Sequence, residues 1–355
     1  MGAFLDGAAG LCLELLRVGG QTVPVVVSDG VGRKAAIFSP RGHYLEYPIH
    51  EIARRSAWWS QGRLRAVLFP LSLLLGLGRI DRAVYVNHWL LVGGPTLRLD
   101  RDRLGELVEG LRLRYPSHAL IFSGVVPALA PRLMQDLLAL GGRAVQSRIV
   151  YLLDPGRSLG GRARKKVRGT RNADEALARA NRHRRIDDPG LLAGRGARMR
   201  DLYAQLYLDK HAGELNPRYR AAFFELVLGS GIFCAAGWMG EDGALEAFNL
   251  HLADGGAIGW SLCGYDRSAP VSRGLFRLAA GEDVEAAKAG NRILNWGGGN
   301  GDFKRFRGAE PAFEYDLVFD GHLSVWRRVP WWVLQRGRAY KNRAPLVPSA
   351  GGGPP

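Results

Sequence analysis

The sequence predicts an α/β protein (an α+β mixed sheet), laid out as two consecutive units with a basic segment between them. Three observations predict it. The chain has 355 residues, which suffices for two ordinary domains. Apolar residues make up 47% and charged residues 23%, a globular rather than a disordered composition. Strand-type and helix-type segments alternate on both sides of a cation-rich stretch that lacks the apolar residues of a core element.

In the first unit, Val23–Ser28 and Lys34–Phe38 read as short strands separated by the turn dipeptide Asp29-Gly30. Arg65–Phe69 and Ala83–Val86 read as two more. Leu104, Leu107, Val108 and Leu111 form a helical stripe within Leu104–Leu113. Ala119–Phe122 is a strand, Pro131–Leu140 a helix closed by Gly141-Gly142, and Ser147–Leu153 a strand. The apolar run Ala66–Gly78 is thirteen residues long, against roughly 20 for a membrane-spanning helix. With Pro70 inside it, a buried strand followed by a turn of helix is expected.

The basic stretch Gly156–Arg185 carries eleven Lys and Arg residues against Asp174 and Glu175. It is expected to start as a loop and continue as a helix across the domain join. The second unit begins with helices at Arg198–Lys210 and Arg218–Gly229. Strands follow at Phe233–Met239, Leu245–Leu252 and Ala257–Gly264, then a helix over Arg273–Ala289 and strands at Arg292–Trp296 and Phe313–Phe319. The expected divisions are 1–155, 156–190, 191–345 and a disordered tail, 346–355.

Forty-nine Lys and Arg against thirty-three Asp and Glu give a formal charge of +16 and a pI near 10.2. Such a surface gathers anionic partners, whether nucleic acid, an acidic carrier protein or an anionic membrane. Cys12, Cys234 and Cys263 are scattered and odd in number, which argues against a disulfide framework or a zinc site. The N-terminal residues do not read as a signal peptide, since Asp6 and Glu14 interrupt them. A cytoplasmic protein with no cofactor motif is expected.

The order of helices, antiparallel meander, helix, strand and final strand is that of the GNAT fold. The run Arg292-Ile-Leu-Asn-Trp-Gly-Gly-Gly-Asn-Gly-Asp-Phe-Lys304-Arg-Phe-Arg-Gly308 resembles the late motif of Fem-like, double-GNAT acyltransferases. Arg164-Lys165-Lys166-Val167-Arg168 resembles the basic segment before their second half, and Leu202–Tyr207 its first helix. The resemblance covers Arg164 to about His322. Residues 33–125 match only as a degenerate first half, through Arg65–Pro70 and Gly93-Gly94-Pro95.

The resemblance implies transfer of an aminoacyl group from aminoacyl-tRNA to an amine or hydroxyl of a small molecule or peptide. Acyl-CoA or acyl carrier protein is an alternative donor, and a non-catalytic RNA-binding protein is the alternative of another class. The stretch Gly264–Gly274 lacks the glycine run that holds the pyrophosphate of CoA, and Pro270 removes a donor there.

Lys304 corresponds to a family lysine that stabilises the oxyanion or the donor's charge; otherwise it is a surface cation. Asp266 is the candidate proton acceptor and Tyr265 the candidate donor to the leaving group, with an ordinary strand-end turn as the alternative. Asn295, Trp296, Phe303, Arg305 and Arg307 are candidate substrate contacts. Arg164, Lys165, Lys166, Arg168 and Arg171 are candidate tRNA contacts. Asn249 and His251 read as structural, and His211 as a helix-end histidine that could instead be a base. Trp326, Trp331 and Trp332, interleaved with cations, read first as a docked terminal helix; nucleic-acid stacking or a membrane surface are the other readings.

Overall fold

The computed structural model describes residues 1–341 apart from 33, 56–57, 158–159 and 210–212. His211 and the tail beyond 345 therefore lie outside the described residues.

Strands β1 (Leu11–Val18) and β2 (Gln21–Asp29) form a hairpin through Gly19 and Gly20, whose φ angles of 54° and 82° suit a two-residue turn. Helices α1 (Tyr47–Arg55) and α2 (Trp58–Leu77) lead to β3 (Arg82–Val86). Helix α3 (Arg101–Arg114) is capped by the Asp100 carboxylate, which accepts from the Arg103 N–H at 2.9 Å. After β4 (Ala119–Val125), α4 (Pro131–Ala139) and β5 (Arg143–Leu153), the long α5 (Gly161–Ala180) opens the second half. There follow β6 (Arg185–Ile186), α6 (Pro189–Leu192), α7 (Gly196–Ala204) with a π-turn at Gln205–Asp209, and α8 (Ala221–Gly229). The meander is β7 (Phe233–Met239), β8 (Leu245–Asp254) and β9 (Ala257–Tyr265). Helix α9 (Leu275–Ala289), β10 (Ile293–Asn295), α10 (Gly301–Arg305), β11 (Glu310–Phe319) and α11 (Val325–Lys341) complete the described chain.

All eleven strands belong to one sheet, in the order β1-β2-β3-β4-β11-β5-β10-β9-β8-β7-β6. Apart from the short β6, the order reads the same from either end once β1–β5 are matched to β7–β11. Directions match too. The first three strands of each half are antiparallel, and the fourth is parallel to the third. Two double-wound copies of one plan are thus related by a pseudo-twofold axis between β5 and β11.

The two halves are parts of one continuous sheet. Each gives its last strand to the other. β11 lies between β4 and β5, and β5 lies between β11 and β10, all antiparallel. The physical reason is edge pairing: β4 and β10 would otherwise present unpaired backbone at the centre of the molecule. Division at residue 155 therefore separates β5 from the half whose sheet it completes.

The central strands are buried on both faces and alternate accordingly. Ala83, Tyr85, Ala119, Ile121, Val145 and Val318 join the cluster under α7, α8 and α11, whereas Val84, Val86, Leu120, Phe122, Leu317 and Phe319 join the one under α3 and α4.

Two local expectations change. Lys34–Phe38 is not a strand but ends in a 3-10 turn at Ala36–Phe38. Arg65–Phe69 lies inside α2, which continues through Pro70. A short apolar run serves either structure, and here the run extends into twenty helical residues. The basic stretch starts as a turn and loop that includes Arg157 and is helical from Gly161, as expected.

The strand exchange makes each half dependent on the other. Residues 1–155 and 156–355 produced separately should lack a cooperative unfolding transition, and co-expression should restore one. Cooperative urea unfolding of either piece alone would contradict this account.

Candidate active site

β9 and β10 are paired only at Ala257–Ile293, Ile258–Leu294 and Gly259–Asn295. Glycine is required here, because a side-chain carbon on Gly259 would stand 2.6 Å from the Asn295 carbonyl oxygen. The register of β8 on β9 then slips: Leu250 faces Leu262, but Leu252 faces Gly259. Two residues of β9, Trp260 and Ser261, oppose the single His251, a β-bulge that bends the strand.

Beyond the bulge the strands part. β9 follows β8 to Tyr265. The chain leaving β10 stays with β5, the Trp296 N–H donating to the Tyr151 carbonyl (2.9 Å) and the Tyr151 N–H to that of Gly297 (3.1 Å). A crevice opens at the carboxyl ends of the parallel pair, where open sheets bind ligands. Among the described residues no strand covers the Ser261–Tyr265 edge on that side.

One wall carries a buried polar cluster. Asp283 of α9 is 2% exposed. It accepts from Ser261 Oγ (2.9 Å) and Asn249 Nδ2 (3.1 Å), and His251 Nδ1 stands 3.7 Å away. Burial pushes its carboxyl up to about 7, against the lowering effect of bonds from Ser261, Asn249 and Trp296. Cys263, two residues beyond Ser261, lies 3.7 Å from the Tyr207 hydroxyl, and burial raises its thiol to about 11.

Lys304 forms the opposite side. The ammonium is not a solvated surface cation: the residue is 9% exposed. It donates to the carbonyls of Trp296 (2.6 Å), Gly297 (3.1 Å) and Gly298. Its three protons are thereby committed to the loop between β10 and α10. Burial, with Arg148 nearby, lowers its pKa to about 7, while Asp283 acts in the opposite sense. Asn295 Oδ1 accepts from the Gly297 N–H (3.1 Å), so the loop is held from both ends. The short helix α10 follows the glycines, capped by Asn300.

Tyr265, Phe276, Phe303 and Trp296 make a continuous aromatic wall, with successive ring centroids 5.7, 4.9 and 5.8 Å apart. The structure thus unites Tyr265, Asn295, Trp296, Phe303 and Lys304 around one crevice.

Asp266 does not suit the role of base. Burial would raise its carboxyl, but bonds from the Ser268 side chain and backbone and from Arg198 hold it below the usual range. It is a turn carboxylate fixed by an ion pair. Arg307 is likewise committed, 7% exposed, bonded to Asp174 and to the Phe303 carbonyl. Arg305 is paired with Asp302 at 3.0 Å.

Sequence reading passed over Asp283, Ser261 and Arg148. A carboxylate on the apolar stripe Leu275, Leu278, Ala279 of one helix was the available signal for the first. Arg148 stood in an apolar strand. It makes a bidentate pair with Glu314 at 2.8 and 3.0 Å, linking β5 to β11 beside the site.

Helix α5 lies against this half. Asp174 bonds Arg277 and Arg307, Glu175 bonds Lys288, and Leu177 covers Gly274, where an added carbon would meet it at 2.6 Å. Leu177 thus packs at the N-terminus of α9, where a CoA pyrophosphate would be expected. Arg164, Lys165, Lys166 and Arg168 are exposed, whereas Arg171 is half-buried and donates to the Arg307 carbonyl (3.0 Å).

The strand order and the parted parallel pair, repeated in both halves, are the arrangement expected of two tandem GNAT-like units. No protein-family model and no curated protein matches the sequence. Solved structures similar over most of the chain include L-PGS from Bacillus licheniformis, at 12% identity over 91% of this chain and 88% of that one, TM-score 0.46. FemX is 11% identical over 94% and 93%, TM-score 0.39. The tandem GNAT protein from the clavulanic acid biosynthesis pathway is 12% identical over 88% and 83%, TM-score 0.35. At such distances residue roles rest on this chain's own geometry.

Asp283 offers a direct test. In the fold it keeps its proton up to about pH 7, whereas unfolded it loses it near 3.8. Its contribution to stability is full below the unfolded value and is lost as pH rises through the folded one. Between about pH 4 and pH 8, wild type should lose on the order of 2–4 kcal/mol relative to Asp283→Asn in urea unfolding. Parallel pH profiles for the two proteins would show that the carboxyl is charged in the fold.

Proposed function

We propose that the chain transfers an aminoacyl group from aminoacyl-tRNA to an amine or hydroxyl acceptor in the β9–β10 crevice. The observation that carries this reading is the position of α5. It packs Leu177 on Gly274, at the helix end that a CoA pyrophosphate would need, and presents exposed cations on the same half.

The aminoacyl ester is already activated, so positioning and proton transfer are the main tasks. The uncovered edge of β9 offers backbone groups to the donor. Ser261 faces the attacking group: it takes the nucleophile's proton as it passes its own to Asp283, the carboxyl poised near neutrality. Tyr265, whose phenol burial keeps protonated, is placed to donate to the leaving ribose oxygen. Lys304 acts by fixing the Trp296–Gly298 carbonyls and with them the aromatic wall.

Single-turnover transfer of a labelled acyl group, from charged tRNA and separately from acyl-CoA, tests this. Lys304→Ala should lower the rate about 10²-fold, as misplacement of a site wall does. Lys304→Arg should not restore it, because a planar guanidinium cannot replace a compact ammonium among three carbonyls. The base must be deprotonated and the ammonium protonated, so the wild-type rate should peak near neutrality. Asp283→Asn should remove the acid limb and Lys304→Met the alkaline limb. Transfer from acyl-CoA alone, or an unchanged rate in Lys304→Ala, would reject the reading.

Binding of tRNA has its own signature. Four exposed cations on α5 should give a log–log salt slope of about −3 to −4. Replacing Arg164, Lys165, Lys166 and Arg168 with Ala should flatten it. A slope indifferent to these changes would place the tRNA elsewhere.

A further inference from the structure

We propose that the exposed face of α2, with the exposed aromatic residues of α11, seats the protein on the surface of an anionic phospholipid bilayer. This goes beyond the proposed transfer reaction and does not depend on it.

Helix α2 is apolar around most of its circumference. Its inner side carries Leu75, fully buried, and Leu68 and Leu71, which pack on the core. The outer side carries Val67, Phe69, Leu73 and Leu77, which are 74%, 64%, 51% and 74% exposed. Ala66, Pro70 and Gly76 are exposed between them. Positions 66, 69, 70, 73, 76 and 77 follow helical spacing and form one stripe. A helix apolar all round belongs in an apolar environment, and a contiguous patch of this kind marks an interaction surface.

The patch continues towards α11. Pro330 sits against Gly78 at the end of α2, where an added carbon would meet its ring at 2.3 Å. The Arg327 guanidinium donates to the carbonyls of Gly78 (3.3 Å) and Arg79 (3.2 Å). This joint fixes the first turn of α11, on which Val325 and Trp326 are 67% and 81% exposed. Trp332 is 45% exposed, with the Arg336 guanidinium 4.3 Å from its ring.

Charge selects the occupant. Arg63 and Arg79 are exposed at the two ends of the α2 stripe, and Arg336 is exposed on α11. The whole chain carries +16. A second copy of so cationic a chain is repelled, whereas an anionic lipid surface offers an apolar layer and negative headgroups together. Exposed Trp residues suit that boundary, since the indole has an apolar body and a polar N–H. Among the described residues no helix is long and apolar enough to cross a membrane. The geometry is that of a helix lying in the headgroup region.

The test is flotation of the full chain with vesicles of phosphatidylcholine alone and of phosphatidylcholine with phosphatidylglycerol in equal parts. Wild type should float with the anionic vesicles, with less binding at high salt and weak binding to the neutral ones. The double variant Phe69→Ser, Leu73→Ser should bind the anionic vesicles at least about tenfold more weakly. Both side chains are exposed, so it should keep the wild-type thermal transition; Trp326→Ser, should that transition be lost, provides a second variant in the same patch. Equal flotation of variants and wild type overturns the proposal, as does equal binding to both vesicle types or to neither. A wild-type dimer that these substitutions dissociate, with no vesicle binding, would assign the face to a second copy and overturn it as well.

Discussion

The antiparallel pairing of β5 with β11 is the constraint on which the rest of the molecule depends. Its register runs from Glu310 opposite Leu152 to Val318 opposite Arg143. Every other strand is reached outwards from this pair, through β4 on one side and β10 on the other. Buried ion pairs span it, Arg148 with Glu314 and Arg143 with Asp320 at the close of β11. Such pairs are weak sources of net stability, but they penalise a slipped register heavily, since a displaced partner would leave a charge unpaired in the interior. In a sheet buried on both faces that penalty adds to the cost of exchanging inward-facing side chains for one another.

The crevice follows from this arrangement. β10 has only three residues, and its parallel contact with β9 ends at Asn295. β5 then captures the departing chain, while the bulge at Trp260 and Ser261 turns β9 away. Neither device opens the site alone. The crevice is thus a product of both halves, with β5 supplying the rail along which the Trp296 loop runs and the second half supplying Asp283, Ser261 and Lys304. That Lys304 spends its donors on main-chain carbonyls follows from the same geometry, because a loop of successive glycines has no side chains with which to hold itself.

Much of the second half was legible in the sequence. Its strands carry regular apolar patterning, its turns carry Asp254-Gly255-Gly256, and its crossover helix is closed by Gly290. The first half was less legible, because its departures from pattern are settled by tertiary contacts. Val67, Leu68 and Phe69 suit a strand as well as a helix, and only the extended context decides. Pro70 misled for a related reason, since an exposed helix face tolerates an interruption that a buried strand would not. Trp296, Phe303 and Lys304, singled out in the sequence by one motif, lie together beside the end of β10. Asp266 stands out in the sequence at a strand end, yet Arg198, distant in sequence, pairs with it, while Asp283 is buried on α9. No local pattern reports which of two carboxylates will meet a guanidinium.

The strand exchange also sets the order in which the protein can be completed during synthesis. β4 and β5 leave the ribosome early, but the strand that belongs between them ends at Phe319, roughly 165 residues after Leu153. At about 5–20 residues per second this is a delay of roughly ten to thirty seconds. Until the later strands emerge, β4 is paired only with β3 and keeps one open edge, while β5 has neither of its neighbours. A chain built this way depends on chaperone protection or slow, reversible collapse while it is made, and its yield in a cell should respond to translation speed as much as to the stability of the finished fold.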